Sequence, residues 1–217
     1  MYSYSSRGFP DLAERYATTH HLPPAHLVSL YDLHYHLGQT PADVAAGSGV
    51  NRFLDSGGYE IHPSVDVLDL QGPPDRHPWS PDHYMAAVHA HARVGDTLVS
   101  FDDPSLSLAE QVQQGLLLFA EIGLAGVRRD LLVHPNGAAP GELAQVLADR
   151  SAEFDILGLT EKDIGEPWFL AAAYLQELRG HLDTQLERHL PIHIFGCLDP
   201  RTLPYVFARI RVGHSMP

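Results

Sequence analysis

Short apolar, β-branched runs alternate along this chain with stretches of helical spacing, and that alternation limits the folds open to it more than any other feature. The runs are Leu27-Val-Ser-Leu-Tyr31, Arg52-Phe-Leu-Asp55, Thr97-Leu-Val-Ser-Phe101, Asp130-Leu-Leu-Val-His134, Phe154-Asp-Ile-Leu157 and Pro191-Ile-His-Ile-Phe195. Between them, the spacing predicts helices from Ser80-Pro81 toward Arg93 and over residues 106–122, 140–152 and 167–190, with another over 200–211. Ser80 reads as an N-cap with proline in the first turn. Strand then helix, repeated, implies parallel pairing through right-handed crossovers. Nearly continuous apolar strands imply a sheet buried on both faces. Six such strands suit a doubly wound sheet or most of a (β/α)8 barrel, which usually takes ~250 residues. The chain has 217, so one domain over 1–217 is expected, near the usual ~150 residues per domain.

Composition narrows the function classes. Hydrophobic residues make up 44% and charged residues 19%, enough apolar material for a core and wrong for disorder, collagen or coiled coil. The single cysteine, Cys197, excludes an internal disulfide and any multi-cysteine metal site built by this chain alone. The net charge is -13, and Lys162 is the one lysine. Nucleic-acid affinity comes largely from cationic contacts to phosphate, so so acidic a chain is a poor stand-alone binder of tRNA or DNA. No run approaches the ~20 apolar residues that cross a bilayer. The N-terminus lacks the charged start and apolar run of a signal peptide, so no membrane partner and a cytoplasmic location are expected.

Chemistry gathers where the strands end. In parallel α/β folds the carboxyl ends of the strands form the active site. Here they read Asp55-Ser-Gly-Gly-Tyr-Glu60, Phe101-Asp-Asp-Pro104, His134-Pro-Asn-Gly137, Gly158-Leu-Thr-Glu-Lys162 and Phe195-Gly-Cys-Leu-Asp-Pro200. Gly57 and Gly58 suggest backbone passing close to a flat ligand, since glycine has no Cβ to block it. Ser56 offers a hydrogen bond and Asp55 a base or nucleophile. The plain alternative is a tight turn whose aspartate caps a helix. Asp102 and Asp103 place two like charges side by side, which raises one pKa and suits acid–base work. An ionised carboxylate also complements the N1–H and exocyclic amine of guanine. One of the pair is as well explained as a cap for the following helix, and Asp102, nearer the strand, is the functional candidate.

These residues resemble a family. Phe53-Leu-Asp-Ser-Gly-Gly-Tyr-Glu60 is similar to the Asp-Ser-Gly-Gly-aromatic signature of tRNA-guanine transglycosylases, and Ser100-Phe-Asp-Asp103 to their next-strand Phe-Asp motif. Asp155-Ile-Leu-Gly-Leu-Thr160 and Ile192-His-Ile-Phe-Gly196, followed by Asp199-Pro200, resemble later strand ends. The order is the family's, over about residues 50–200, and the wording is nearest the branch that includes DNA 7-deazaguanine-inserting proteins. The resemblance implies an α/β fold of (β/α)8 TIM-barrel type, incomplete, with about six of eight strands. It implies exchange of guanine in tRNA or DNA for a 7-deazaguanine through a glycosyl–aspartate intermediate. Asp55 would then be the catalytic acid/base. Ser56 and Asp102 would hold the base, with Gly57, Gly58 and Gly158 contributing backbone, and Phe195 and Gly196 lining the wall.

The departures are specific. Where the family has a glutamine-glycine stretch, this chain reads Val133-His-Pro-Asn-Gly137, so His134 stands in as the base contact. The family's nucleophilic aspartate would fall near Ile210-Arg-Val-Gly-His-Ser-Met-Pro217, which holds no carboxylate. Its zinc site would lie further on, so no metal or cofactor is expected in this chain. By resemblance the domain is truncated, and unpaired barrel edges invite a second copy or a complementing subunit. Two other readings stay open: a non-catalytic purine-binding subunit, and a metal-dependent amidohydrolase-like barrel using His34-x-His36 with His134 and His193. Alternate strand residues share a face, so the first two would chelate only on a strand. His193, between Ile192 and Ile194, reads more simply as a satisfied core histidine.

Overall fold

The computed structural model describes residues 2–5, 24–37, 51–57, 77–165, 168–186 and 188–196. Gly58, Cys197, the Asp199-Pro200 segment and the helix expected over 200–211 lie outside them. The strands are β1 (Tyr2–Ser5), β2 (Pro24–Ser29), β3 (Asn51–Asp55), β4 (Thr97–Val99), β5 (Arg128–Leu132), β6 (Ile156–Thr160) and β7 (Ile192–Phe195). The helices are α1 (Leu30–His34), α2 (Pro81–His91), α3 (Leu108–Ile122), α4 (Pro140–Ala148), α5 (Glu161–Ile164) and α6 (Trp168–Gln185). None is long and apolar enough to cross a membrane among the described residues.

The chain divides into two compact units, residues 1–101 with 118–129, and residues 102–117 with 130–217. In the first, β1, β2, β3 and β4 pair in parallel in sequence order. In the second, β5, β6 and β7 do the same. The α/β class with parallel strands is as the alternation requires. A doubly wound sheet reverses its strand order at a switch point, and neither unit does so among its described strands.

Local chemistry sets the element bounds. Ser29 ends β2 by turning its hydroxyl to the Asp32 amide, 3.3 Å away, so Leu30 and Tyr31 continue as α1 instead of extending the strand to Tyr31 as expected. The Ser80 hydroxyl accepts from the His83 amide and Pro81 opens α2. Before α3, Ser107 and Glu110 form a reciprocal capping box: the Ser107 amide donates to Glu110 Oε2 at 2.9 Å, and the Glu110 amide lies 3.4 Å from the Ser107 hydroxyl. β6 begins and ends later than the apolar run suggests, because a 3₁₀ turn at Ser151–Glu153 occupies its approach. Arg188 donates to the carbonyls of Ser151 and Phe154 and fixes that turn.

The first unit packs Val28, Leu54, Val88, Leu98 and Val99 at 0–1% exposure, and the buried Tyr84 hydroxyl donates to the Val99 carbonyl at 2.8 Å. It also buries an ion pair. Arg52 on β3 donates through Nε to Asp96 Oδ1 at 3.0 Å and through Nη2 to Oδ2 at 2.5 Å, and it reaches the His91 carbonyl at 2.9 Å. The Arg93 amide donates to the same Asp96 carboxylate.

In the second unit the register separates two faces. Leu157 pairs with Ile192 and Leu159 with Ile194, giving an apolar face. On the other face Leu132, Gly158 and His193 stand level, with Asp130 opposite Ile156 and Thr160 opposite Phe195. Asp130, Thr160 and His193 therefore share one side of this sheet.

Candidate functional site

The second unit gathers three carboxyl-end side chains into a charged chain. His134 follows β5, Asp102 follows β4, and Asp163 sits in the short helix α5 just after β6. His134 Nε2 lies 3.0 Å from Asp102 Oδ2 and Nδ1 lies 2.6 Å from Asp163 Oδ2. The Thr160 hydroxyl donates to that same Asp163 oxygen. Each ring nitrogen thus faces a carboxylate, an arrangement only the doubly protonated imidazolium satisfies with two N–H donors. The side chains of Asp102, His134 and Asp163 are 8%, 12% and 22% exposed.

Burial alone lowers the His134 pKa, but the hydrogen bonds to Asp102 and Asp163, with the charges of both, outweigh it and raise it to about 9. Burial likewise raises the Asp163 carboxyl, yet bonds from His134 and Thr160 and the charges of His134 and Lys162 hold it below its ordinary value. At neutral pH His134 is an imidazolium and Asp163 a carboxylate.

The backbone of His134 is gripped from α3. The buried Gln111 accepts from the His134 amide at 2.7 Å and donates to its carbonyl at 3.1 Å and to the Leu106 carbonyl at 2.9 Å. Asn136, in a left-handed conformation with φ 53°, donates to the carbonyls of Pro104 and Leu106. The loops after β4 and β5 are therefore stapled together under the trio. Asp103 takes a different path from its neighbour: its Oδ1 accepts from the Ser105 amide and hydroxyl at 2.9 and 2.6 Å. It shapes the turn before α3 while Asp102 meets His134.

Gly158 is buried within the same face. Its carbonyl accepts from the Val133 amide at 3.1 Å. A Cβ there would stand 2.8 Å from Asp130 Oδ1, 3.0 Å from Phe195 Cε2 and 3.1 Å from Leu132 Cα. Phe195 is half-buried, and Gly196 is exposed with φ 77°.

Asp55 and Ser56 end β3 in the first unit, with Ser56 buried. Gly57 has a reason inside the protein. Its φ is +75°, and a Cβ would lie 2.8 Å from Tyr31 Cβ and 3.0 Å from Trp79 Nε1. The close approach expected of a flat ligand is made here by these two side chains. Trp79 donates its indole N–H to the Ser56 carbonyl at 2.9 Å. Tyr31 packs edge-on to Trp79 with ring centroids 5.4 Å apart, and Tyr35 stacks on His77 at 4.4 Å. Gly57→Ala is expected to cost about 2 kcal/mol, the usual strain of a side chain in left-handed backbone, read as a lowered urea midpoint.

Three residues of the site escape strand-end reasoning. Asp163 carries a faint signal, since Thr160-Glu-Lys-Asp163 has the spacing of a capping motif. Gln111 is a polar residue on the otherwise apolar stripe of Val112, Leu116 and Phe119 in α3, and its burial marks a partner. Asp130 hides at the start of an apolar run. The metal reading loses its strand: His34 closes α1, and His36 sits in a turn with φ 54°. Among the described residues no group of three or more His, Cys, Asp or Glu side chains is placed to hold a metal ion.

No known family model matches the chain, and no curated protein matches it.

Proposed function

We propose that the protein is a transglycosylase-like, incomplete (β/α)8 barrel that binds guanine or a 7-deazaguanine at the carboxyl ends of its strands. The observation that carries this reading is Asp102, a nearly buried carboxylate at a strand end, oriented by the His134 imidazolium. A carboxylate so fixed accepts from the adjacent N1–H and exocyclic amine of a guanine-type base, a planar donor pair of matching width. Strand order running in sequence within each unit supports the barrel over a doubly wound sheet. The resemblance implies for Asp55 and Ser56, in the first unit, a part in base exchange within tRNA or DNA. Exchange also needs a carboxylate nucleophile, which the resemblance puts beyond the described residues, so base binding is the part of the activity these residues support.

His134 is not itself the base contact that its position suggests. Both of its nitrogens are engaged by carboxylates, so it acts by holding Asp102 instead of touching the base through a free nitrogen.

Calorimetric titration with guanine and with 7-deazaguanine tests the reading. Binding to the unaltered chain and at least tenfold weaker binding to Asp102→Asn are expected, because the amide places a donor against the donor edge of the base and a charge-assisted bond is worth about 1.5–3 kcal/mol. Equal binding by the two proteins, or binding by neither, overturns it.

A further inference from the structure

Beneath the trio lies a second acid–imidazole pair that the base-binding reading does not use. Asp130 on β5 and His193 on β7 flank β6, and Gly158 leaves the space in which their side chains meet: Asp130 Oδ2 accepts from His193 Nδ1 at 2.7 Å. The Asp130 carboxylate is fully buried and the His193 side chain 18% exposed. A carboxylate at such a position is costly to desolvate and is normally replaced by an apolar side chain unless it is paired. The His193 ring in turn packs on Phe195, with centroids 4.1 Å apart and planes tilted by 39°. Phe195 also uses the space over Gly158, its Cε2 lying 3.0 Å from where a Cβ would stand.

We propose that Asp130 and His193 are positioning residues: the buried carboxylate fixes the imidazole, and the imidazole holds the Phe195 ring over Gly158 as the wall on which the bound base stacks. This rests on the base-binding reading for its ligand. Asp130 limits rotation of the His193 ring, and the packed His193 limits rotation of Phe195. A stacking wall of this kind gives affinity without base-edge specificity, leaving discrimination to Asp102.

The test combines aromatic NMR of Phe195, assigned through Phe195→Leu, with calorimetric titration of guanine. In the unaltered chain the Phe195 ring protons are expected to be displaced by the His193 ring current. In Asp130→Asn that displacement collapses while core methyl signals persist, and guanine affinity falls five- to tenfold in Asp130→Asn and in His193→Gln. The double variant Asp130→Asn/Phe195→Leu binds no more weakly than Phe195→Leu alone. Unchanged Phe195 signals in the folded variants, or affinity losses that add, overturn the proposal. Should Asp130→Asn fail to fold, the guanine affinity of His193→Gln, at a partly exposed position, decides the matter, and an unchanged affinity overturns the proposal. If the unaltered chain binds no guanine, the base-binding reading fails, and the ring spectra still decide whether the pair positions Phe195.

Discussion

Between pH 6.5 and pH 9 the protein is expected to lose about 3 kcal/mol of stability, most of it through one histidine. In the unfolded chain His134 titrates near its ordinary 6.5, and in the folded protein near 9, because Asp102 and Asp163 together outweigh the cost of burial. Below pH 6.5 both states carry the proton and the whole stabilisation is present. As pH rises toward 9, the unfolded chain has released a proton that the folded protein still holds, and the advantage shrinks until it is gone above the folded value. A displacement of this size corresponds to about 3 kcal/mol. Asp163 bounds the acid side with the opposite sign: its lowered pKa stabilises the fold above the ordinary carboxylate value, and that contribution fades as pH falls through the folded one. The contribution of His134 is therefore whole only below about pH 6.5, and that of Asp163 only above the ordinary carboxylate range. Urea unfolding at fixed pH values checks this. The unaltered protein should weaken steadily from 6.5 to 9, whereas His134→Gln should be weaker at pH 6 and nearly flat across that interval. Parallel profiles for the two proteins contradict the assignment.

Asp96→Ala is expected to be more damaging still, at about 4 kcal/mol. Arg52 has no exposed side-chain surface, and two of its nitrogens donate to Asp96. Removing the acid takes away the carboxylate that accepts two of the buried guanidinium's N–H bonds, and breaking a buried pair in this way costs about 3–5 kcal/mol. The Arg93 amide loses its acceptor as well. The replacement Arg52→Met with Asp96→Ala should recover much of the loss, since it removes both charges and fills the volume. Chemical denaturation of the two variants distinguishes the cases: the single variant should fall well below the double one, and equal midpoints would mean that the pair contributes through packing alone.

Much of the fold is legible in the chain because period and punctuation agree. Apolar runs mark β3 to β7, Ser80-Pro81 opens α2, and Pro140 opens α4. The strand at Tyr2–Ser5 is not legible, since four residues of alternating tyrosine and serine have no apolar run and their ladder is supplied by β2. Leu30 and Tyr31 look like strand in isolation, yet the Ser29 hydroxyl turns them into helix. Polar residues following buried apolar ones at the strand ends single out Asp102 and His134 in the sequence, and the structure brings the two together. Their partners are harder to read. Asp163 stands on a four-residue helix and Gln111 on α3, and only three-dimensional packing brings either to His134. Glycine is the most ambiguous letter. Gly57 and Gly158 are both required by close approach, but the groups that approach are Tyr31 and Trp79 in one case and Asp130, Leu132 and Phe195 in the other. A single sequence shows that something comes near a glycine without saying what.

If the Asp102–His134–Asp163 trio is a preorganised acceptor for a guanine-type base, as proposed, the ¹⁵N resonances of the His134 ring report on it directly. At pH 7.5 both ring nitrogens should show attached protons. Adding guanine should then shift the Nε2 resonance, which faces Asp102, more than the Nδ1 resonance, which faces Asp163. A His134 that is neutral at pH 7.5, or a ring whose two signals ignore saturating guanine, would contradict that role of the trio.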